Sequence, residues 1–317
     1  MVKLAQQFVP AADEVWRLQS GADFDCRLFQ EIAEQGHYAG RTQPSATRQG
    51  IYAAAPSGKL LASINSRDPK AVAEMLATAL ERWEALPRSE RRRANLPDQP
   101  PSRWETRYPA DGLVLAVFVR DVERDPRPDD WRASAWNKDF AWFTREEALA
   151  LVPESREIGA ERAWPAELAN RITRCNLVDC VRGQVPPFRR EDVELAELVT
   201  RVAAVSEDGL ELDLTGRTRA VMRGRWPVAG FSDEAAAGEQ ERGFATELLG
   251  RALFEPASGR FTRFELAAVG TRWGGAQFNG RQDDLAEAPI GVLFTLAGSS
   301  PAEHVPPAAI WDYGWPP

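Results

Sequence analysis

Between Val193 and Leu296 the chain repeats one device, extended apolar runs separated by tight turns. Residues 209–214 alternate Leu210, Leu212 and Leu214 with Glu211 and Asp213. That period of two places one side of a strand in a core and the other in water. Phe244–Phe254 and Phe261–Val269 flank Pro256-Ala257-Ser258-Gly259 and read as a long hairpin, and Pro289–Leu296 adds a strand. Phe261 and Arg263 alternate imperfectly with Phe264 and Leu266, so a bulge is expected near Arg263. Consecutive strands with tight turns predict an antiparallel meander, curved or folded into a sandwich or partial barrel.

Upstream, Leu113–Val119 is a continuous apolar run suited to a buried strand, and residues 146–152 and 165–175 read as short helices. Residues 112–317 are therefore expected to form one mostly antiparallel β domain with short helices. Residues 88–111 read as a linker. They hold Arg88, Arg91, Arg92 and Arg93, then Pro97, Pro100 and Pro101, without an apolar period. The small, acidic stretch 231–240 is expected to be an exposed loop, and the tail from Ser299 irregular.

Residues 1–87 have a different texture. Gly50–Ile64 is two short apolar runs around Pro56-Ser57-Gly58, a hairpin signal. Asp68 caps a helix with Pro69 at its first position, and Val72, Leu76, Ala79, Leu80 and Trp83 form its apolar stripe. Asp23 or Asp25 caps an earlier helix that turns Phe29, Ile32 and Ala33 inward and stops at Gly36. The order of extended segment, helix, hairpin and helix is an α/β pattern, and the chain overall is α+β.

The segment RQGIYAAAPSGKLLASINSRDPKAVAEMLATALERW resembles the closing β-β-α of the thioredoxin-like superfamily. The whole chain resembles an uncharacterised bacterial family that joins such a region to a C-terminal β-rich domain of unknown function. The resemblance implies a partial thioredoxin-like domain over 1–87, with Phe8–Trp16 as its second strand. Two departures stand out. No CxxC occurs, and Thr47-Arg48-Gln49 precede the hairpin where the family has a cis-proline.

Five sets of residues could carry chemistry. Cys26 falls near a helix N-terminus, where the dipole favours a thiolate, yet it shares the apolar face with Phe29 and Ala33. Cys175 and Cys180 form a C-x4-C pair without a second pair or a histidine to complete a metal site. Trp131, Trp136 and Trp142, interleaved with Asn137 and Asp139, could line a carbohydrate or peptide groove or fill a core corner. Arg272, Asn279, Arg281, Asp283 and Asp284 crowd a loop after a strand, as an ion-pair loop or a polar-ligand site. Its glycines lack dinucleotide-loop spacing. His37 and His304 have no matched nucleophile nearby in sequence.

Charge narrows the partners. The chain has 317 residues with 39 basic against 47 acidic, a net charge of −8, which disfavours nucleic acid and anionic membranes. No apolar run reaches spanning length and no signal-peptide core opens the chain, so a cytoplasmic protein is expected. The leading functional reading is a non-catalytic binding or scaffold protein with a degenerate thioredoxin-like domain, no cofactor and no metal. Its partner would be a protein or a polar small molecule. The alternatives are a thiol-dependent oxidoreductase using Cys26, and a hydrolase or carbohydrate-binding β domain working through Asp139 with Asp283 or Asp284.

Overall fold

A computed structural model describes residues 2–11, 13, 15–38, 47–66, 68–92, 107–122, 135–229 and 238–315. The chain divides into two compact units, residues 1–101 and 102–317. Trp131 and most of the 231–240 loop lie outside the described residues.

The first unit contains helices α1 (Val2–Ala5), α2 (Val15–Ser20) and α3 (Phe24–Glu34), then β1 (Ile51–Ala54), β2 (Leu60–Ile64) and α4 (Pro69–Ala85). Asp23 caps α3 and Asp68 caps α4, each accepting a backbone N–H of the first turn, with Pro69 at the start of α4. The hairpin turns at Gly58, whose φ of 88° is the left-handed conformation glycine adopts without cost. Val72, Met75, Leu76 and Ala79 of α4 pack on Ala53, Leu61 and Ala62, with Leu4, Phe8 and Trp83 at the margin. The strand expected over Phe8–Trp16 is not formed. Described residues there are coil, and Val15 and Trp16 already belong to α2. Phe8 meets the core as a single anchor, so no alternating face exists to pair. The sheet of this unit has two strands.

The second unit is built on one antiparallel sheet of eight strands. They are β3 (Leu113–Asp121), β4 (Trp136–Phe143), β5 (Glu161–Ala163), β6 (Val193–Ser206), β7 (Gly209–Arg225), β8 (Glu239–Glu255), β9 (Arg260–Trp273) and β10 (Ala288–Leu296). The order is β4-β3-β10-β9-β8-β7-β6-β5, so the sheet stays open. A sandwich was one expectation, but a second sheet is not what covers the core. Helices α5 (Arg145–Leu149) and α6 (Ala166–Cys175) and the segments around them supply the apolar cover. Leu151, Trp164, Leu168, Ile172, Leu177 and Phe188 pack against the inner residues of β3 and β6–β10. Burial on one side and solvent on the other follows from the strand period. At the β8–β9 turn Leu253 pairs Arg263 while Phe254 pairs Phe261, which leaves Thr262 as the extra residue of a bulge beside Arg263.

The described tail is irregular, as expected, yet part of it packs into a core. Short 3-10 turns at Pro301–Glu303 and Ile310–Tyr313 carry Ile310 and Tyr313 into a second cluster with Val114, Ala116, Phe140, Trp142 and Cys175. Edge strand β4 is blunted by side chains. Asn176 donates to Phe140 O at 3.0 Å, Arg171 donates to Trp142 O at 3.1 Å, and Asn137 Oδ1 accepts Lys138 N–H at 2.9 Å.

Candidate functional site

The inner face of the long sheet changes character toward one end. Apolar Phe264, Leu266 and Ala268 of β9 give way to Arg272, and β3 ends on Asp121. The loop between β9 and β10 folds back over this end and contributes Arg281 and Asp284, while the segment after α6 brings Asp179 and Arg182. Arg281, 0% exposed, is the hub. It is bidentate to Asp179 at 2.7 and 2.7 Å and to Asp121 at 2.7 and 3.0 Å, and donates to Asp284 at 3.0 Å. A guanidinium has five N–H groups, and those five contacts use them all.

Arg272 donates to the Asp284 carboxylate at 2.6 Å and to the backbone carbonyls of Asp284 and Ala286. Arg182 bridges Asp121 at 3.0 Å and Asp284 at 2.8 Å. Three arginines thus face three aspartates, and the cluster is neutral. Burial opposes ionisation of Arg281, but hydrogen bonds and charges from Asp179 and Asp121 outweigh it and hold its pKa above the ordinary value. Burial likewise pushes Asp284 up. The hydrogen bond and charge of Arg272, with Arg182 and Arg281, pull it below the usual carboxylate range. A carboxylate so held stays ionised and accepts hydrogen bonds, and it is a poor general acid.

Arg242 lies on the same inner face, and among the described residues no carboxylate forms a salt bridge with it. It donates to Pro186 O and Pro187 O and stacks on Phe188, 4.4 Å from the ring centroid. Burial lowers its pKa to about 10, against the opposing charges of Asp192 and Asp179.

Of the loop residues singled out from sequence, Arg272, Arg281 and Asp284 come together here. Asn279 does structural work beside them, its Oδ1 accepting Ala276 N–H at 2.9 Å within the turn. Asp283 is solvent-exposed. Asp121, Asp179 and Arg182 were missed. They lie in an apolar strand and in the C-x4-C stretch, so no local polar cluster marks them.

Among the described residues, β4 does not bring its aromatic and polar side chains to one face. Strand alternation puts Trp136 and Trp142 on one face and Asn137 and Asp139 on the other. Trp136 is exposed near Phe118, while Trp142 is fully buried between Tyr108 and Trp315. Trp142 Nε1 and Asn176 Oδ1 are buried without a hydrogen-bond partner. Asn137 donates to Cys180 O at 2.8 Å, and Asp139 accepts Ala308 N–H at 2.8 Å from the tail. Burial raises Asp139 to about 6 despite the N–H groups of Ala308 and Phe140. Cys175 and Cys180 are both free thiols pushed up to about 12 by burial.

Cys26 is 0% exposed in the first turn of α3. Its thiol donates to Arg17 O at 3.3 Å, and Arg17 Nη1 reaches the sulfur at 3.4 Å. Burial raises its pKa, joined by the Asp23 carboxylate and opposed by Arg17. Burial and Asp23 thus act against the stabilisation of a thiolate by the helix N-terminus.

His37 has a partner that spacing could not reveal, because Ser63 is distant in sequence. His37 Nδ1 lies 2.8 Å from Ser63 Oγ, which also accepts the His37 backbone N–H at 3.1 Å. His37 Nε2 is buried without a hydrogen-bond partner. The ring stacks on Tyr52 and touches Tyr38. A Cβ on Gly50 would fall 2.7 Å from Nε2, so only glycine fits there. His304 stacks instead on Tyr108 at 4.1 Å.

Among the described residues no group of three or more His, Cys, Asp or Glu could hold a metal ion, and no helix is long and apolar enough to cross a membrane. No protein-family model, curated protein or solved structure matches this chain.

Proposed function

We propose that this chain is a non-catalytic binding or scaffold protein. The observation that carries the reading is the closed polar cluster around Arg281, whose five N–H groups are all taken by Asp121, Asp179 and Asp284. A loop rich in charge after a strand is where a ligand site would be sought, and here that charge is spent on pinning four segments together. Of the carboxylates the hydrolase reading calls on, Asp284 is held in this cluster, Asp139 accepts the Ala308 N–H of the tail, and Asp283 is exposed. In this reading the first unit keeps only the hairpin and last helix of a thioredoxin-like domain, residues 51–85.

The thiol-enzyme alternative rests on Cys26 and is tested directly. Peptide-resolved alkylation kinetics should show Cys26 reacting at least about a hundredfold more slowly in the folded chain than in denaturant, because a buried, hydrogen-bonded thiol with a raised pKa offers little thiolate. Reaction as fast as a free cysteine, together with insulin-disulfide reduction that Cys26→Ser abolishes without unfolding the chain, would replace the binding reading with the enzyme one.

A further inference from the structure

Register aligns Val199, Thr215, Leu249, Ala267 and Leu293 in one row across the outer face of β6 to β10. Leu249 and Leu293 on this row are 70% and 42% exposed, and Val269 on the adjacent row is 57% exposed. Large apolar side chains on three neighbouring strands are thus turned to solvent.

The charges flanking this row are ordered. Two residues toward one end of the strands the outer face reads Glu197, Arg217, Glu247, and two residues toward the other it reads Arg201, Asp213, Arg251. Half a turn about the central row exchanges the two rows strand by strand. On β6, β7 and β8 it sets Glu197 against Arg201, Arg217 against Asp213, and Glu247 against Arg251, with opposite sign each time. On β9 and β10 it sets Val269 against Glu265 and Gly291 against Thr295, which carry no charge pair. One step further out Arg219 meets Glu211, and Ala245 meets Leu253.

We propose that this face is the interface between two copies of the chain, related by a twofold axis along the Val199–Leu293 row. A twofold interface must be complementary to itself, and the charges of β6, β7 and β8 are. Two chains of net charge −8 repel at long range, but here each copy presents alternating signs that match in the paired orientation. The face is large enough. Five strands about 4.8 Å apart, over about ten residues each, span roughly 800 Å² per copy, the size of a standard interface. Facing sheets cross at about 30°, which displaces residues more the farther they lie from the crossing point and leaves Leu249 with the Glu247–Arg251 contacts of the central strand β8 best matched. The inference goes beyond the binding reading and does not depend on Cys26 or the Arg281 cluster.

Sedimentation velocity on the full chain tests it with two charge reversals. Glu247→Arg alone sets arginine against Arg251 twice across the axis, and Arg251→Glu alone sets glutamate against Glu247 twice. Each variant should stay folded by circular dichroism and dissociate at least about tenfold more readily than the parent chain. Mixed in equal amounts, the two should associate again as a heterodimer, because both contacts are then of opposite sign. In-chain strain from either substitution cannot produce that rescue. Leu249→Asp should give a folded monomer. A parent chain monomeric throughout the micromolar range, variants that remain dimeric, or a mixture that fails to associate would each overturn the interface.

Discussion

The two faces of the long sheet use the same residue types for opposite ends. On the inner face Arg281 and Arg272, at most 2% exposed, are held by Asp121, Asp179 and Asp284. On the outer face Arg217, Arg219 and Arg223 pair with Glu197, Glu194 and Glu241, and all these side chains are more than a third exposed. Coulomb attraction is present in both, but only the inner groups have given up water. Removing an inner partner strands a charge in the core, whereas removing an outer one returns its partner to solvent. The inner cluster therefore fixes the fold, and the outer ladder costs little to rearrange against a second surface.

The largest break in this comparison comes from Asp179→Ala. It removes two of the five Arg281 contacts, and losing one partner of a buried pair costs about 3–5 kcal/mol. The melting temperature of the second unit should fall by on the order of 10 °C, read by differential scanning calorimetry.

A smaller effect belongs to Asp139. Burial raises its folded pKa to about 6, above the ordinary 3.8, so folding favours the protonated form. Its contribution is fully present below about pH 4 and is lost as pH rises to about 6, amounting to up to about 3 kcal/mol. Asp139→Asn keeps an oxygen for Ala308 N–H and should flatten that part of the stability–pH curve. An unchanged slope would place the titrating group elsewhere.

The smallest effect is on the outer ladder. Arg217→Ala, measured by urea unfolding at concentrations where the chain is monomeric, should change stability by less than about 1 kcal/mol. A loss comparable to that of Asp179→Ala would erase the distinction between the faces.

Much of the scaffold was legible because it is local. Asp68-Pro69, Pro56-Ser57-Gly58 and the leucine alternation at 210–214 each announce their own structure, and the bulge beside Arg263 follows from broken alternation. What the sequence hid is non-local. The open sheet in place of a sandwich depends on the 145–188 segment covering the inner face, which no period in that segment declares. The strand expected over Phe8–Trp16 came from a family resemblance rather than an alternating pattern, and the chain there forms coil and helix instead. Arg272, Arg281 and Asp284 stood out as a dense loop, while Asp121 and Asp179 joined them across more than a hundred positions of sequence. Ser63 reached His37 in the same way.

A pair of double-mutant cycles tests the division of labour between the faces most directly. One cycle removes Asp179 and Arg281, singly and together, as Asp179→Asn and Arg281→Gln; the other removes Glu197 and Arg217 as alanines. Equilibrium urea unfolding should give a coupling energy of about 2–3 kcal/mol for the inner pair and less than about 0.5 kcal/mol for the outer pair. Equal coupling in the two cycles, or a larger value on the outer face, would contradict the account.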